Sequence, residues 1–351
     1  MPTQIKALGT TAADKPLAQM HILRRDLQPD DVQLQILYCG ICHSDLHHMK
    51  NDYGAGNYPM VPGHEIVGRV TAVGSDVTKF RVGELAAVGC IVNSCGACPA
   101  CARDLQQFCS GKGGTTFSFN SPDRHIGGTT YGGFAQTYVC KESYTLRMPA
   151  NLDPAAAAPL LCAGITVHSP LKHWRAGPGK SVAVIGVGGL GHLAIRIAKA
   201  MGARVVALTT SPEKVADAAR LGADDAVLAS DAEKMRELQS TMDIVIDTVS
   251  AQHDLDSYLG LLNIDGIVVL VGLPPQPLFI KPFSVVQGRR SLAGSNIGGI
   301  AETQDMLDFC ARHGIVADIE RIGASQINSA FERLDRNDVR YRFVVDMSTL
   351  V

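Results

Sequence analysis

Short apolar segments alternate with amphipathic segments through residues 180–300, and this alternation restricts the fold more than any other feature of the chain. The apolar segments, which predict buried strands, are residues 182–186, 205–209, 226–228, 244–247, 267–272 and 292–295. The segments between them predict helices at residues 190–201, 212–221, 232–239 and 255–262. Because helical crossovers join parallel strands, the pattern predicts an α/β fold with a doubly wound parallel sheet.

The first of these strands runs into a glycine-rich turn of the form G-x-G-x-x-G. The turn is built from Gly186, Gly188, Gly189, Leu190 and Gly191. Such a motif also arises by chance as an ordinary turn, but here it follows an apolar strand and opens an amphipathic helix. In that context the glycines let backbone N–H groups approach a pyrophosphate. The sequence therefore predicts dinucleotide binding.

The end of the second strand distinguishes between the two nicotinamide cofactors. An NAD site commonly has an acidic residue there, which accepts a hydrogen bond from the ribose 2′-hydroxyl. This chain has Thr209, Thr210 and Ser211, followed by Lys214. Hydroxyls and a lysine suit a 2′-phosphate, so NADP(H) is predicted. The alternative is an ordinary helix start, with Ser211 as N-cap and Lys214 in solvent, and both interpretations can hold together.

The first 150 residues follow a different pattern. Short alternating segments such as residues 32–37 and 66–73 are interrupted by Gly, Pro and Asp, which predicts β-rich structure with long loops. A helix at residues 303–313 and a strand at residues 342–346 have no place in the parallel sheet. We therefore predict a β-rich domain, a dinucleotide-binding domain and a return to the first domain, at residues 1–154, 155–297 and 298–351 respectively.

Four cysteines fall within one short segment and are spaced C-x2-C-x2-C-x7-C. Their thiolates, which can form a closed tetrahedral zinc site, belong to Cys95, Cys98, Cys101 and Cys109. The alternatives are free buried thiols, two disulfides or an iron–sulfur cluster. The chain has 10 cysteines in 351 residues and its start lacks the pattern of a secretion signal, so a reducing, cytoplasmic location is expected. Structural zinc is the favoured interpretation.

Composition excludes two classes of partner. The formal net charge is −2 and the pI is near 6.6, without a run of Lys or Arg, so no nucleic acid partner is expected. The longest apolar stretch, residues 155–167, contains Pro159 and Gly164 and is shorter than the roughly 18 to 20 residues that cross a bilayer. No membrane association is expected. With 46% hydrophobic residues, the chain can bury a large core.

A second set of metal-ligating residues is dispersed along the chain. Cys42, His64 and Cys162 offer two thiolates and one imidazole, which together would form a three-ligand zinc site with an open fourth position. Taken singly, Cys162 is as easily a packed small apolar residue and His64 a loop residue. The residue types alone leave this site undecided.

The whole set of motifs resembles the zinc-dependent medium-chain alcohol dehydrogenases. Within them the chain looks most like the cinnamyl alcohol dehydrogenase branch and its bacterial NADP-dependent aldehyde reductase relatives. The segments that carry the resemblance are residues 39–47, 58–70, 90–109, 160–170, 173–191, 294–299 and 338–346. The resemblance implies a GroES-like first domain, a Rossmann second domain, two zinc ions per chain and NADP(H).

The resemblance also assigns roles at matching positions. Cys42, His64 and Cys162 match the ligands of the catalytic zinc, and Glu65 matches a carboxylate that can approach this metal. Asp45 matches the partner that orients His64. The proton relay is assigned to Ser44 and His47, through a hydroxyl of the cofactor ribose to solvent, while His48 is a neighbour without that role.

Further cofactor contacts are implied with less support from the residues themselves. They are Thr166, Thr248, Val249, Val271, Leu273, Ser295, Asn296, His43 and Arg342. Each has a plain structural alternative: Val271 and Leu273 also suit the end of a buried strand, and Arg342 also suits an ion pair with a carboxylate.

The resemblance implies an enzyme that transfers hydride between NADPH and an aldehyde, giving a primary alcohol. Candidate pocket residues, which favour aromatic or medium-chain aldehydes, are Met49, Tyr53, Tyr58, Phe117, Phe119 and Ile297. The first alternative is a polyol or secondary-alcohol dehydrogenase on the same scaffold. The second is a non-enzymatic redox sensor that binds NADPH and senses through its cysteine loop. A homodimer is expected.

Overall fold

The computed structural model describes residues 2–351. The chain forms two compact units. Unit 1 extends to Cys162 and resumes at Gly298, and unit 2 is Ala163–Ile297. The units follow contacts within the chain and do not test the predicted domain ranges, which stay predictions.

Strands and helices are labelled here in chain order. The strands are β1 (Thr3–Gly9), β2 (Ala18–Arg24), β3 (Asp31–Gly40), β4 (Ile66–Val73), β5 (Leu85–Val88), β6 (Ile91–Asn93), β7 (Thr116–Phe117), β8 (Thr137–Lys141), β9 (Leu146–Arg147), β10 (Ser181–Ile185), β11 (Arg204–Thr209), β12 (Asp225–Leu228), β13 (Met242–Asp247), β14 (Leu262–Leu270), β15 (Ser291–Gly294), β16 (Ile319–Gly323) and β17 (Arg342–Asp346). The helices are α1 (His43–Met49), α2 (Pro154–Ala157), α3 (Ala163–His173), α4 (Gly191–Ala200), α5 (Pro212–Arg220), α6 (Ala232–Glu237), α7 (Leu255–Gly260), α8 (Pro282–Val286), α9 (Ile300–His313) and α10 (Ile327–Asp335).

Unit 1 is organised around a mixed sheet. Its strand order is β16-β17-β3-β4-β5-β9, and β8 also pairs with β3. Cys39 of β3 lies opposite Ile66 of β4 on one side and Val345 of β17 on the other. This register brings the start of β4 and the strand β17 to the same end of β3, although they are nearly 280 residues apart in the chain. The loops at that end carry the residues of the candidate metal site.

Unit 2 contains a parallel sheet with the strand order β12-β11-β10-β13-β14-β15. All neighbouring strands are parallel, which confirms the predicted doubly wound sheet. Strands β11 and β12 lie on one side of β10, and the chain then crosses to β13 on its other side. The strand order therefore reverses between β10 and β13. Ligands bind outside the carboxyl ends of strands at such a reversal. The glycine-rich turn follows β10 at this position.

The central strands of unit 2, β10, β11 and β13, are almost entirely buried, as their apolar sequences predict. Val182–Ile185 are at most 2% exposed, and the helices cover them with apolar faces, as α4 does with Leu193, Ile195 and Ile197. The predicted helices are confirmed with slightly shorter ends. The sequence pattern does not predict α3, because Gly164 and Pro170 disfavour a helix and the polar Thr166 and His168 interrupt its apolar period.

In the described part of the chain, no single helix is both long and apolar enough to cross a membrane. One bent pair, residues 154–161 and 163–173, meets the length and composition criteria only when taken together. Both members are almost entirely buried within the protein.

Candidate active site

Four side chains from three separate segments of the sequence meet in unit 1. Cys42 precedes α1, His64 and Glu65 precede β4, and Cys162 follows the turn after α2. One ligand atom from each lies within 4.8 Å of the others, and all four residues are buried. The structure therefore brings together the three dispersed ligands that the sequence suggests, along with the adjacent glutamate.

Asp45 connects the first two of these segments. Its Oδ2 accepts the backbone N–H of Cys42 at 2.9 Å, which caps the start of α1. Its Oδ1 accepts the N–H of Gly63 at 2.9 Å and faces Nδ1 of His64 at 3.0 Å. Because the carboxylate requires a proton on Nδ1, the lone pair of His64 is on Nε2, the nitrogen left to bind a metal.

The two thiols fit a zinc site. Sγ of Cys42 lies 3.9 Å from Sγ of Cys162. Two thiolates on one tetrahedral zinc, each bonded at about 2.3 Å, are separated by about 3.8 Å. A hydrogen bond from Cys162 lowers the pKa of Cys42 well below its ordinary value, against the opposing effect of burial. A thiolate at this site is therefore favoured, and the set of two thiolates and one imidazole is typical of catalytic zinc.

Glu65 is held beside the cluster by Arg342, the first residue of β17. Oε1 of Glu65 accepts a hydrogen bond from Nη2 of Arg342, and both side chains are at most 5% exposed. Burial raises the pKa of Glu65 to about 7, against the opposing charge of Arg342. The other oxygen, Oε2, has no hydrogen-bond partner among the described residues. A buried acceptor without a donor is expected where an ion completes the site.

The space for this carboxylate depends on Gly40. A Cβ at this position would overlap Oε2 of Glu65. The pairing of Arg342 with Glu65 corresponds to the structural alternative considered for this arginine. Its predicted contact with the cofactor stays a prediction.

The predicted relay residues lie on α1. Oγ of Ser44 is 3.7 Å from Sγ of Cys42, and His47 follows one turn later on the same face. Nδ1 of His47 lies 2.7 Å from Oδ2 of Asp52. Asp52 is not predictable from the sequence pattern, because it lies beyond the end of α1 and no spacing rule connects it with His47. His48 packs instead against Phe119 and Tyr53, with ring centroids 5.1 Å apart in each case.

The four-cysteine loop closes on itself as predicted. The ligand atoms of Cys95, Cys98, Cys101 and Cys109 lie within 4.8 Å of one another, and two sulfur pairs are 3.9 Å apart. Backbone N–H groups of Cys101 and Ser110 lower the pKa of Cys98 to about 5. All 10 cysteines are free thiols, so the disulfide alternative finds no support. The sulfur spacing fits a closed tetrahedral zinc site.

Three glycines of the turn after β10 are needed for different physical reasons. Gly186 has φ +89, and a Cβ there would lie 2.9 Å from Oγ1 of Thr248. A Cβ at Gly191 would overlap the carbonyl oxygen of Gly186, so this position brings the helix close to the strand. A Cβ at Gly188 would meet nothing within 4 Å. The backbone at Gly188 is therefore open to a ligand, as pyrophosphate binding requires.

The end of β11 presents the predicted hydroxyl groups. Thr209 is buried, Thr210 is exposed, and Ser211 and Lys214 are half-buried. Ser211 occupies the N-cap position of α5, but its hydroxyl makes no capping hydrogen bond. The backbone at Ser211 therefore starts a helix, as the alternative interpretation predicts, but helix capping does not explain the Ser211 side chain.

The other predicted cofactor contacts fall at consistent places in the sheet. Thr248 and Val249 follow β13, Val271 and Leu273 follow β14, and Ser295 and Asn296 follow β15, all at carboxyl ends of strands. Thr166 is buried within α3, and His43 is the half-buried first residue of α1. Their contacts with a cofactor stay predictions.

The candidate pocket residues lie in different surroundings. The ring of Phe119 stacks on that of His64 at 5.8 Å, and Tyr53 lies 5.6 Å from His47. Tyr58 instead donates its hydroxyl to the carbonyl of Met49 at 2.9 Å, which is a structural contact. Phe117 is exposed on β7, and Ile297 is a buried residue of unit 2.

Two family models match the chain. The alcohol dehydrogenase GroES-like domain matches residues 28–150, and the zinc-binding dehydrogenase model matches residues 189–312. Together they cover more than half of the chain, in the order that the sequence predicts. The chain belongs to the zinc-binding dehydrogenase family.

Individual relatives agree with this membership. Aldehyde reductase YahK of Escherichia coli is 52% identical, with 99% of each chain covered. The cinnamyl alcohol dehydrogenase SbCAD4 of Sorghum bicolor is 42% identical, covers 99% of this chain and 98% of its own, and has a TM-score of 0.95. The enzyme CAD of Helicobacter pylori, solved with NADP(H), is 37% identical, with 99% of each chain covered and a TM-score of 0.92.

Family membership makes the chain an oxidoreductase, and the two metal clusters described above fit the zinc of the family name. The expected GroES-like domain and parallel-sheet domain are both confirmed. The non-enzymatic alternative gains no support, since the open cluster and its neighbouring hydroxyl are retained.

Proposed function

We propose that this protein is a zinc-dependent, NADP(H)-specific aldehyde reductase and alcohol dehydrogenase. It reduces aldehydes to primary alcohols and catalyses the reverse oxidation. The observation that carries this proposal is the buried cluster of Cys42, His64 and Cys162, with the hydroxyl of Ser44 3.7 Å from the first thiol. Three ligands with an adjacent proton donor suit substrate chemistry, whereas the four-thiol loop leaves no open position.

The chemistry of the two bound groups is simple to state. Cys42, His64 and Cys162 would hold the zinc, which would supply a Lewis acid for a carbonyl oxygen, and bound NADPH would supply the hydride. Glu65 lies in the same cluster with one oxygen unpaired, and we assign it the role of a carboxylate that approaches the metal. Asp45 fixes His64 in the tautomer that binds metal.

The chain's own contribution is a proton path along α1. After hydride transfer the oxygen of the product requires a proton, and the hydroxyl of Ser44 is placed to donate it. His47, one turn away and half-exposed, restores that proton from solvent. Asp52 stabilises the charge that His47 carries while it exchanges protons.

The cofactor proposal rests on unit 2. The end of β11, where an NAD site would have an acidic residue, has hydroxyl groups and then a lysine instead. These hydroxyls and the ammonium group suit a 2′-phosphate, and they belong to Thr209, Thr210, Ser211 and Lys214. The relative of known structure from Helicobacter pylori was solved with NADP(H). The glycine-rich turn from Gly186 to Gly191 would receive the pyrophosphate.

The substrate class is aromatic or medium-chain aldehydes. Its support is the apolar surface near the cluster, where Phe119 stacks on His64 and Tyr53 lies beside His47. The polyol or secondary-alcohol alternative would instead need polar side chains around the open metal position. The ring of Phe119, which is 6% exposed and stacks on His64, is apolar and provides no such polar group.

We further propose a cytoplasmic homodimer. Strand β15 lies at the edge of the parallel sheet, and the segment before it exposes Phe279, Phe283 and Val286 at 67% or more. An unpaired edge beside exposed apolar side chains suits association with a second copy. The chain has 10 free cysteines, six of them in the two metal clusters, and these would survive best in a reducing compartment. Light scattering that gives the mass of a single chain would contradict the dimer.

One assay tests the central proposal. The purified protein should contain two zinc ions per chain and should oxidise NADPH in the presence of benzaldehyde, cinnamaldehyde and short aldehydes. We expect lower rates with ketoses and with NADH. Preferred turnover of ketoses would favour the polyol alternative, and absence of any turnover with two bound zinc ions would contradict the enzymatic proposal.

A further inference from the structure

The loop that follows β13 is held by a buried carboxylate–imidazole pair to which the proposed mechanism assigns no role. Asp247 is the last residue of β13, and its side chain is 1% exposed. Its Oδ2 lies 2.8 Å from Nε2 of His253, whose side chain is 10% exposed. Its Oδ1 accepts the backbone N–H of Val249 at 3.0 Å. One carboxylate thus fixes both the beginning and the end of residues 248–253.

The ring of His253 is fixed in orientation as well as position. Nδ1 lies 2.8 Å from the carbonyl oxygen of Ala251. A carbonyl oxygen only accepts hydrogen bonds, so Nδ1 carries a proton. Nε2 faces a carboxylate, so a second proton lies between His253 and Asp247. The ring also packs against Tyr258, with centroids 5.5 Å apart.

This loop lies directly against the glycine-rich turn. Oγ1 of Thr248 donates to the carbonyl of Ile185 at 2.7 Å, immediately before Gly186. A Cβ at Gly186 would lie 2.9 Å from the same hydroxyl. On the other side, a Cβ at Gly272 would lie 2.6 Å from the carbonyl carbon of Val249. The loop is therefore packed between two turns at the point where the strand order of the sheet reverses.

A buried carboxylate–imidazole pair is an inefficient way to stabilise a fold. Burial raises the pKa of Asp247, while the N–H of Val249 and the charge of His253 oppose that rise. Taking a carboxylate and its partner out of water is costly, and well-packed apolar residues of similar volume often serve stability equally well. What the pair provides beyond stability is a fixed geometry for the residues attached to it.

We propose that Asp247 and His253 are positioning residues for the dinucleotide, which hold Thr248 and Val249 in the arrangement that binds the cofactor. This inference rests on the proposed binding of NADP(H) by unit 2. The pair lies at the end of β13, and β10 separates this strand from β11, whose end would select the 2′-phosphate. Its loss therefore weakens NADPH and NADH by the same factor.

Three substitutions separate this role from general stability. Asp247→Ala removes both hydrogen bonds. In Asp247→Asn the amide oxygen still accepts from Val249, and the amide nitrogen donates to Nε2 of a neutral His253 that is protonated on Nδ1. His253→Phe keeps a ring against Tyr258 but removes both N–H donors. Gln252→Ala, an exposed neighbour in the same loop, is the matched control.

The dissociation constants of both cofactors are measured by fluorescence on the zinc-loaded protein, with melting temperatures and kcat alongside. We expect Asp247→Ala and His253→Phe to raise both constants by about tenfold, with kcat at saturating NADPH within about twofold of the unmodified protein. Asp247→Asn and Gln252→Ala should stay within about threefold. If Asp247→Ala does not fold, the contrast between His253→Phe and Asp247→Asn gives the same test.

The alternative outcomes are distinct. If the unmodified protein binds neither cofactor, the proposed function fails and this inference fails with it. If it binds NADPH and the variants bind as tightly but melt at lower temperature, the pair is structural and only the positioning role is overturned. A loss confined to NADPH would also overturn it, because the pair would then act on the 2′-phosphate.

Discussion

The imidazole of His47 is paired with the carboxylate of Asp52, 2.7 Å from Nδ1 to Oδ2. The side chains are 30% and 44% exposed respectively, so the pair is in contact with solvent. Ser44 lies one turn earlier on α1, on the side of the metal cluster. The helix thus places a buried-side hydroxyl and a solvent-side imidazole on one face, the arrangement that a proton path requires.

This pair predicts the effect of Asp52→Asn. Because the amide is uncharged, it stabilises a protonated His47 less, and proton exchange with solvent slows. We expect kcat to fall by about three- to tenfold while the KM for aldehyde stays unchanged. Steady-state kinetics of NADPH oxidation provide the measurement.

The control for this variant is Asp335→Asn, an exposed carboxylate that pairs with Lys50 at 2.9 Å. Both exposed pairs contribute at most about 1 kcal/mol to the free energy of unfolding, so neither variant should alter folding appreciably. Equal kcat for Asp52→Asn and the unmodified protein would exclude Asp52 from the proton path.

The parallel sheet could be predicted from the sequence because a short segment of sequence is enough to indicate each of its strands and helices. Each buried strand, such as residues 182–186, is a short apolar run, and each connecting helix has its own apolar face. Helix α3 was not predictable in this way, since its residues 163–168 are all buried and include the polar Thr166 and His168, so no apolar face stands out. Its helical form follows from burial within the folded unit, which no short window of sequence expresses.

The two metal clusters also differ in how close their residues are in the sequence. The four cysteines of residues 95–109 are close in sequence, so spacing alone predicts their convergence. Cys42 and Cys162 are 120 residues apart, and only the fold brings their sulfurs to 3.9 Å. The pairing of Glu65 with Arg342 likewise depends on strand register. For these residues, family resemblance supplied what periodicity could not.

Metal analysis should separate the two clusters. Cys42→Ser removes one ligand of the open site, so we expect about one zinc ion per chain and loss of nearly all turnover, with the fold retained. Cys101→Ser disrupts the closed site, so we expect a lower melting temperature or a lower yield of folded protein. Zinc content, turnover and melting temperature are measured together.

Cys310→Ala is the control for these two variants. Cys310 is a buried thiol of α9 that contacts Met306 at 3.7 Å and belongs to neither cluster. It should keep two zinc ions and full turnover. Full activity of Cys42→Ser would show that the open site is misassigned.

Lys214→Ala tests the choice of cofactor. If the ammonium binds the 2′-phosphate, its removal should weaken NADPH by about 1.5 to 3 kcal/mol and leave NADH unchanged. Dissociation constants for both cofactors give the comparison. Arg220→Ala, an exposed cation at the end of the same helix, serves as the control. Equal losses for NADPH and NADH after Lys214→Ala would contradict the assignment.

Gly111→Ala tests whether the closed metal site depends on a residue that is not a ligand. A Cβ at this position would overlap Sγ of Cys95 and lie 2.6 Å from its Cβ. Because the sulfur cannot move without leaving the cluster, we expect about one zinc ion per chain and a lower melting temperature. The adjacent exposed Lys112→Ala should keep both ions. Two zinc ions and an unchanged melting temperature in Gly111→Ala would show that the loop adjusts without releasing its metal.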